Sequence, residues 1–272
     1  MKKSVIAAIG LKDEELIIDR TLSAINQFCE KIIIVDDGST DATEDICRSY
    51  NKVEWHKNIE HDWRVRSDGM QKMIAIEAIE PHNPDYVLAL DADEIPFTNM
   101  PEFIDDLDDS VNLWLLPFVQ LWRDEFHHRT DQFFLSDGSN VNYDAFNGGP
   151  TKGSLFKWID GYKYEYYLDR HILRMEPFNV PEPHEISYKT GILHYGKLSE
   201  KFKSGEKDEE YAQMRSHTMG FDLEDRIRHH EEARAEESLT LEKINPDWIW
   251  DYKDPMVDKF INELMRRSKE IK

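Results

Sequence analysis

Over its first hundred residues the chain alternates apolar runs with amphipathic stretches. Val5 to Ile9 is a continuous apolar run and reads as a first buried strand. Asp13 can then cap a helix in which Ile18, Leu22, Ile25 and Phe28 recur at spacings of three and four. Ile32-Ile33-Ile34-Val35 is the β-branched run expected of a strand covered on both faces. Asp36-Asp37-Gly38-Ser39-Thr40 carries turn chemistry, and Asp41 with Glu44 three residues on marks a second helix start by the logic of a reciprocal cap. Val53-Glu54-Trp55 is a short third strand. Ser67 opens a third helix with Met70, Met73, Ile74 and Ala78 on one face, and Pro81 and Pro84 end it before the strand Tyr86-Val87-Leu88-Ala89-Leu90.

Strands separated by helices imply an α/β fold with a mostly parallel central sheet, and such sheets bind ligands beyond the carboxyl ends of their strands. Both acidic clusters, Asp36-Asp37 and Asp91-Ala92-Asp93, follow strands. From Val111 the pattern changes to short aromatic-rich runs around Trp114, Phe133, Phe156 and Ile192, which predict a mixed or antiparallel sheet, with a loop at Asn147-Gly148-Gly149-Pro150. Beyond Ser199 the chain is charged and reads as helical, ending in an apolar stripe of Val257, Phe260, Ile261, Leu264 and Met265. The predicted organisation is one unit in three parts: residues 1–110, residues 111–198 and a C-terminal helical extension over residues 199–272.

With 272 residues of which 40% are hydrophobic, the chain can bury a real core. Nowhere do enough apolar residues run together to span a bilayer as a helix. The start, Met1-Lys2-Lys3 and then Val5 to Ile9, meets Lys12-Asp13-Glu14-Glu15 without a small-residue cleavage site, so a strand fits better than a leader. Cys29 and Cys47 are too few for a disulfide framework, and a reducing cytoplasm is the expected location. The formal charge of -21, concentrated before residue 196, disfavours nucleic acid as a partner.

The strongest local chemistry is Asp91-Ala92-Asp93. In extended chain, carboxylates at i and i+2 project to one side and can share a hard cation, magnesium or manganese, with phosphate oxygens and waters completing the octahedron. The competing reading of the pair alone is a solvated acidic turn.

Two motifs in order decide between them. Ile33-Ile34-Val35-Asp36-Asp37-Gly38-Ser39-Thr40-Asp41 is followed about fifty residues later by Leu88-Ala89-Leu90-Asp91-Ala92-Asp93-Glu94, and this pair resembles family 2 glycosyltransferases of the GT-A fold. The resemblance covers residues 4–97 and reaches Ile192-Leu193-His194-Tyr195-Gly196. It implies a GT-A Rossmann-like fold that transfers a sugar from a nucleotide-diphospho-sugar, with UDP favoured, to the hydroxyl of a saccharide or small molecule. It implies that Asp36 or Asp37 binds the base or ribose, that Asp91 and Asp93 serve ribose and a Mn2+ or Mg2+ ion, and that His194 is the third metal ligand. An anionic donor in an acidic site needs that cation.

Glu14, after the first strand, joins the expected donor-binding set, although the family's usual proline and tyrosine there are replaced by Gly10-Leu11-Lys12-Asp13-Glu14. The usual arginine-asparagine segment is Arg66-Ser67-Asp68-Gly69-Met70, so Arg66 keeps the charge and is the candidate for the diphosphate. Inverting transfer, the favoured stereochemistry, needs a carboxylate to take the acceptor proton, and Asp124 and Asp131 are the candidates. Two rivals remain. A haloacid-dehalogenase-like phosphohydrolase would use Asp91 and Asp93, but its motif closes a first strand and the chain has no Gly-Asp dipeptide. A glycosyltransferase-like binding domain without turnover is the other.

Overall fold

The computed structural model describes residues 2–58, 68–130, 132–134, 140–142, 151–164, 176–198 and 241–250. The first half runs β1 (Val5–Leu11), α1 (Ile18–Ile25), β2 (Lys31–Asp36), α2 (Thr43–Arg48), β3 (Val53–Lys57), α3 (Asp68–Ile79) and β4 (Tyr86–Asp91), the predicted alternation. β5 (Glu94–Pro96) and α4 (Met100–Asp105) lead into a strand-rich half: β6 (Leu113–Trp122), β7 (Asp124–Arg129), β8 (Gln132–Phe134), β9 (Asn140–Asn142), β10 (Thr151–Lys157), β11 (His184–Ile186), β12 (Ile192–His194) and β13 (Leu241–Lys243).

The main sheet has the order β13-β7-β6-β10-β4-β1-β2-β3. β3, β2, β1 and β4 are mutually parallel, and β10 turns the sheet antiparallel by pairing with β4 and β6. The result is a mixed α/β architecture consistent with a GT-A Rossmann-like fold. The period of two is visible in the core. Ala7 and Ile9 of β1 and Ile32 and Ile34 of β2 pack against Ile18, Leu22 and Ile25 of α1. Ile6, Ile33 and Val35 face the other way, onto Ala75, Ile76 and Ile79 of α3. The sheet is covered on both faces, so its central strands are continuously apolar. Each fully buried leucine, isoleucine or valine among them contributes about 1.5–3 kcal/mol.

Some local expectations are corrected. Asp13 does not cap α1. It sits in the loop with φ 53 and its Oδ1 accepts from Thr40 N at 2.7 Å, while α1 begins five residues later with no side-chain cap. Glu44 does not close a reciprocal cap on α2; it pairs with Arg48 and Lys57, while Asp41 accepts from Thr43 N and Glu15 Oε2 from Ala42 N at the helix start. On α3 the fully buried positions are Gln71, Ala75, Ile76 and Ile79, with Met73, Ile74 and Ala78 only partly buried. The face turned to the sheet is thus rotated from the one the apolar spacing picks out.

The expected C-terminal helices fall mostly outside the described residues, as does the stripe from Val257 to Met265 and the loop at 147–150. Residues 241–250 form β13 and a short 3-10 turn instead. They pack beside the end of β5: Trp248 stacks on Phe97 at 4.5 Å between ring centroids, and Trp250 Nε1 donates to Pro96 O at 2.8 Å.

Candidate functional site

The carboxyl ends of β1, β2 and β4 meet at one edge. Leu11 is in register with Asp36, and Gly10 with Asp91. Gly10 has no side chain, and Gln71 of α3 fills the space a Cβ would take while its Nε2 donates to Val35 O.

The loops after β1 and β2 are stitched together. Ser39 Oγ accepts from Asp13 N, Thr43 Oγ1 accepts from Glu14 N, and Asp41 Oδ2 accepts from Glu15 N. Glu14, an expected donor-binding residue, is placed in this seam by its backbone. Asp36 and Asp37 play different parts. Asp36 is 1% exposed, and its Oδ1 accepts from Ser39 N at 2.9 Å and Ser39 Oγ at 2.6 Å, so it closes its own turn. Asp37 stands at the rim with Oδ1 accepting from Asn58 Nδ2 at 3.0 Å, its backbone N–H tied to Leu11 O. Gly38 between them and Ser39 has φ +87, a conformation glycine adopts without strain.

Asp91 ends β4, and Ala92 and Asp93 form a tight turn into β5 rather than extended chain. Thr21 Oγ1 of α1 donates to Ala92 O at 2.6 Å, and Glu94 Oε2 accepts from Asp91 N at 2.9 Å. These two contacts anchor the turn between the aspartates. Asp91 Oδ2 lies 3.0 Å from Lys152 Nζ of β10. Asp93 Oδ2 lies 3.4 Å from His194 Nε2 of β12. Among the described residues no three His, Cys, Asp or Glu side chains converge on one point.

The Asp93–His194 pair is built from two directions. β12 pairs antiparallel with β5, placing His194 opposite Glu94, and parallel with β6, placing it opposite Gln120. Tyr195 N donates to Asp93 O at 2.9 Å. Gln120 Nε2 donates to Leu121 O and His194 O, which turns its Oε1 to accept from His194 Nδ1 at 2.9 Å. A proton on Nδ1, which Gln120 Oε1 can accept, would leave the Nε2 lone pair to a metal ion lying between the imidazole and Asp93. A Cβ on Gly196 would lie 2.5 Å from Asp93 Oδ2 and 2.7 Å from His194 Nε2, so glycine keeps this space open. One carboxylate oxygen and one neutral imidazole fit Mn2+ or Mg2+ when phosphate oxygens and waters supply the remaining positions.

Beside this pair lies a buried ionic cluster that the sequence reading missed. Glu94 is 0% exposed and accepts from Lys152 Nζ through Oε1. Burial, then the negative charge of Asp91, push the Glu94 carboxyl above the usual carboxylate range. Burial would also raise Asp91, but the Lys152 ammonium outweighs it and holds that carboxyl low. Lys152 itself would be lowered by burial, and Asp91 and then Glu94 reverse this and raise it. Lys152 Nζ stands 4.7 Å from the Phe118 ring centroid, and Phe118 packs on His194 at 4.7 Å. In sequence Lys152 matches only a failed phosphate-loop pattern, and Gln120 is a polar interruption in an apolar strand. That interruption was the one signal available.

Of the acceptor-side candidates, Asp124 follows Arg123, whose φ is 69, in the tight β6–β7 turn. Its Oδ1 accepts from Phe126 N and from His127 Nδ1, both at 2.8 Å. Burial would raise it, but these hydrogen bonds, His127 first, hold it below the usual range. Glu125 next to it pairs with Arg20 of α1 at 2.5 Å, and Arg20 lies over the ring of Tyr195. The β6–β7 turn is thereby tied to the His194 segment. Arg66 and Asp131 lie outside the described residues.

The family model described as "Glycosyl transferase family 2" matches residues 7–143. No curated protein matches. Among solved structures, glucosyl-3-phosphoglycerate synthase from Mycobacterium tuberculosis is similar in two complexes, one with Mn2+, UDP and glucosyl-3-phosphoglycerate and one with Mg2+ and UDP. Each is 19% identical, with 44% of this chain and 44% of that chain covered and a TM-score of 0.31. The match thus spans less than half of the synthase. S. aureus TarS 1-349 is 13% identical, with 78% of this chain and 70% of that chain covered and a TM-score of 0.44. The family match, rather than these distant likenesses, carries the assignment.

Proposed function

The chain belongs to glycosyl transferase family 2, and from that premise we propose that it is a metal-dependent glycosyltransferase taking its sugar from a nucleotide-diphospho-sugar, UDP-sugars first. The observation that carries the reading is the Asp93–His194 pair, 3.4 Å apart, with Gln120 fixing the imidazole and Gly196 leaving the space between the ligands open. Asp93 and His194 would hold Mn2+ or Mg2+, with Asp91 beside them at the end of β4. Bound there, the ion would neutralise the charge that grows on the departing diphosphate. Asp37, at the rim of the β2 loop, binds the base or ribose, while Asp36 and Ser39 hold that loop in shape. Arg66 is assigned to the diphosphate, Glu14 to the donor side, and Asp124 or Asp131 to the proton of the acceptor hydroxyl in an inverting displacement. The acceptor is a saccharide or small molecule, and a reducing cytoplasm suits the free, buried Cys29 and Cys47. Among the described residues no helix is long and apolar enough to cross a membrane.

The phosphohydrolase alternative is not retained, because Asp91 closes the fourth strand of a family 2 fold. Calorimetry of a panel of nucleotide sugars with and without Mn2+ tests the proposal, followed by product analysis on candidate acceptors. Metal-dependent binding of a UDP-sugar that Asp93→Ala abolishes is the expected result. Binding without turnover on any acceptor favours the non-catalytic reading, and equal binding in chelator removes the metal from the site.

A further inference from the structure

Resting on that reading of the donor site, we infer that Lys152 is a tethered cation that competes with the divalent ion for Asp91 and makes metal capture depend on the donor's diphosphate. Three observations carry it. Lys152 Nζ lies 3.0 Å from Asp91 Oδ2 and also donates to Glu94, whose other oxygen accepts from the Asp91 backbone N–H. One ammonium therefore holds both the side chain and, through Glu94, the backbone of the first aspartate of the turn. One ring links the ammonium to the Asp93–His194 pair: Lys152 Nζ lies over Phe118, and Phe118 packs on the imidazole of His194. Lys152 is partly solvent-accessible, with 21% of its side chain exposed, whereas Glu94 is fully buried. The lysine can thus move outward along its flexible stem while the glutamate cannot.

The chemistry follows from charge. A divalent ion at Asp93 and His194 that also recruits Asp91 meets a positive charge already on that carboxylate, and with the Asp91 side chain 52% exposed solvent reduces this repulsion without removing it. A diphosphate reaching the same edge offers the ammonium an alternative anion. It lets Lys152 leave Asp91 as the metal arrives. Metal and nucleotide then favour each other's binding by the same factor. A lysine that merely neutralises Glu94 would give no such coupling.

The test is calorimetric titration of metal-stripped protein with Mn2+ alone, with UDP alone and with each in the presence of the other. In Lys152→Met, Mn2+ alone is expected to bind on the order of tenfold more tightly than in wild type, since a unit charge next to the site is gone. The mutual enhancement between Mn2+ and UDP is expected to shrink. Adding Asp91→Asn to Lys152→Met should remove the gain. If the single variant does not fold, Glu94→Gln with Lys152→Met removes the buried pair together, leaving no orphaned carboxylate, and is read the same way. Unchanged or weaker Mn2+ binding in the folded variant, or a gain that survives Asp91→Asn, overturns the inference. Failure of every form to bind UDP or any nucleotide sugar would instead sink the proposed function. The Mn2+ comparison, with its Asp91→Asn arm, still decides the role of Lys152 in that case.

Discussion

His194 Nε2 faces Asp93 Oδ2 across 3.4 Å, and the missing side chain of Gly196 is what leaves that gap clear. Because Gly196 does not adopt a left-handed backbone, alanine is sterically possible for the chain and objectionable only to the two facing groups. Overpacking typically costs about 1–3 kcal/mol. Spent on separating Asp93 from His194, it should appear as Mn2+ binding weakened by roughly 10–100-fold. The thermal midpoint should move little. Gly196→Ala that binds Mn2+ as wild type does would show that the pair is not a ligand pair.

Gln120 acts through His194. Gln120→Leu keeps the volume but removes the acceptor at Nδ1, so the imidazole is free to place its proton on Nε2, where a metal cannot bind. Losing such an outer hydrogen bond commonly costs about 10–100-fold in metal affinity. The NMR tautomer signature of His194 should shift in step. A change in affinity without a change in tautomer would point to simple loosening of β6 against β12.

The parallel half of the fold was legible because its strands are covered on both faces. Ile32 to Val35 must be continuously apolar, and the turn residues after it fall where the sheet ends. The site was legible only as far as it is local. Asp91 and Asp93 are two positions apart, but the turn that carries them is anchored by Thr21 of α1, and their side-chain partners, Lys152 and His194, come from β10 and β12. Lys152 is separated from Asp91 by 61 positions, and its meaning comes from the antiparallel pairing of β10 with β4. The apolar spacing on α3 misled because buried Gln71 counts as polar in the pattern yet packs over Gly10 to reach Val35 O. Nothing in a single sequence separates such a glutamine from a solvated one.

Asp36 and Asp37 should separate under substitution. Asp36→Ala strips two hydrogen bonds from a buried carboxylate and leaves Ser39 without its acceptor, so its main effect is on stability, by about 1–3 kcal/mol. Asp37→Ala, which takes one acceptor from Asn58 Nδ2, should lower the melting temperature less than Asp36→Ala does and weaken UDP binding by about 1–3 kcal/mol. Paired thermal melts and UDP titrations read both. The reverse pattern would transfer the nucleotide contact to Asp36.

Stability should vary with pH in a way set by Glu94. Burial, then Asp91, push its carboxyl from 4.5 to about 8, so the folded state holds the proton more tightly than the unfolded chain. Stability then falls as pH rises from about 4.5 to about 8 and levels off above that window. Asp91, held low by Lys152, acts in the opposite direction only below its ordinary 3.8. Lys152 is raised, so its own contribution is present throughout the window. The rest of a chain carrying a charge of -21 adds a background slope. Melts of wild type and Glu94→Gln across the window isolate the residue: the glutamine variant should lose part of the decline, and identical slopes would remove Glu94 as its source.

The acceptor side rests on Asp124 and Asp131, and Asp124 can be argued from its surroundings. Its carboxylate is aimed at the backbone of its own turn, and His127 Nδ1 lies against both oxygens, 2.8 Å from Oδ1 and 3.0 Å from Oδ2. Because those hydrogen bonds hold it below the usual range, it is a weaker base than a free aspartate. To take a hydroxyl proton it must use Oδ2, which does not cap Phe126, and displace His127 from it. The pair can also act with His127 outermost, the carboxylate steadying the imidazolium. General-base catalysis contributes about 10²–10⁴-fold in rate, so Asp124→Asn should lower turnover on that scale with Mn2+ and UDP affinities unchanged. His127→Gln separates the two arrangements: a comparable loss, with the acidic limb of the pH–rate profile removed, places the imidazole against the acceptor. Near-normal turnover leaves the proton to the carboxylate. If Asp124→Asn and Asp131→Asn both turn over normally, or the product retains the donor's anomeric configuration, neither carboxylate is the base.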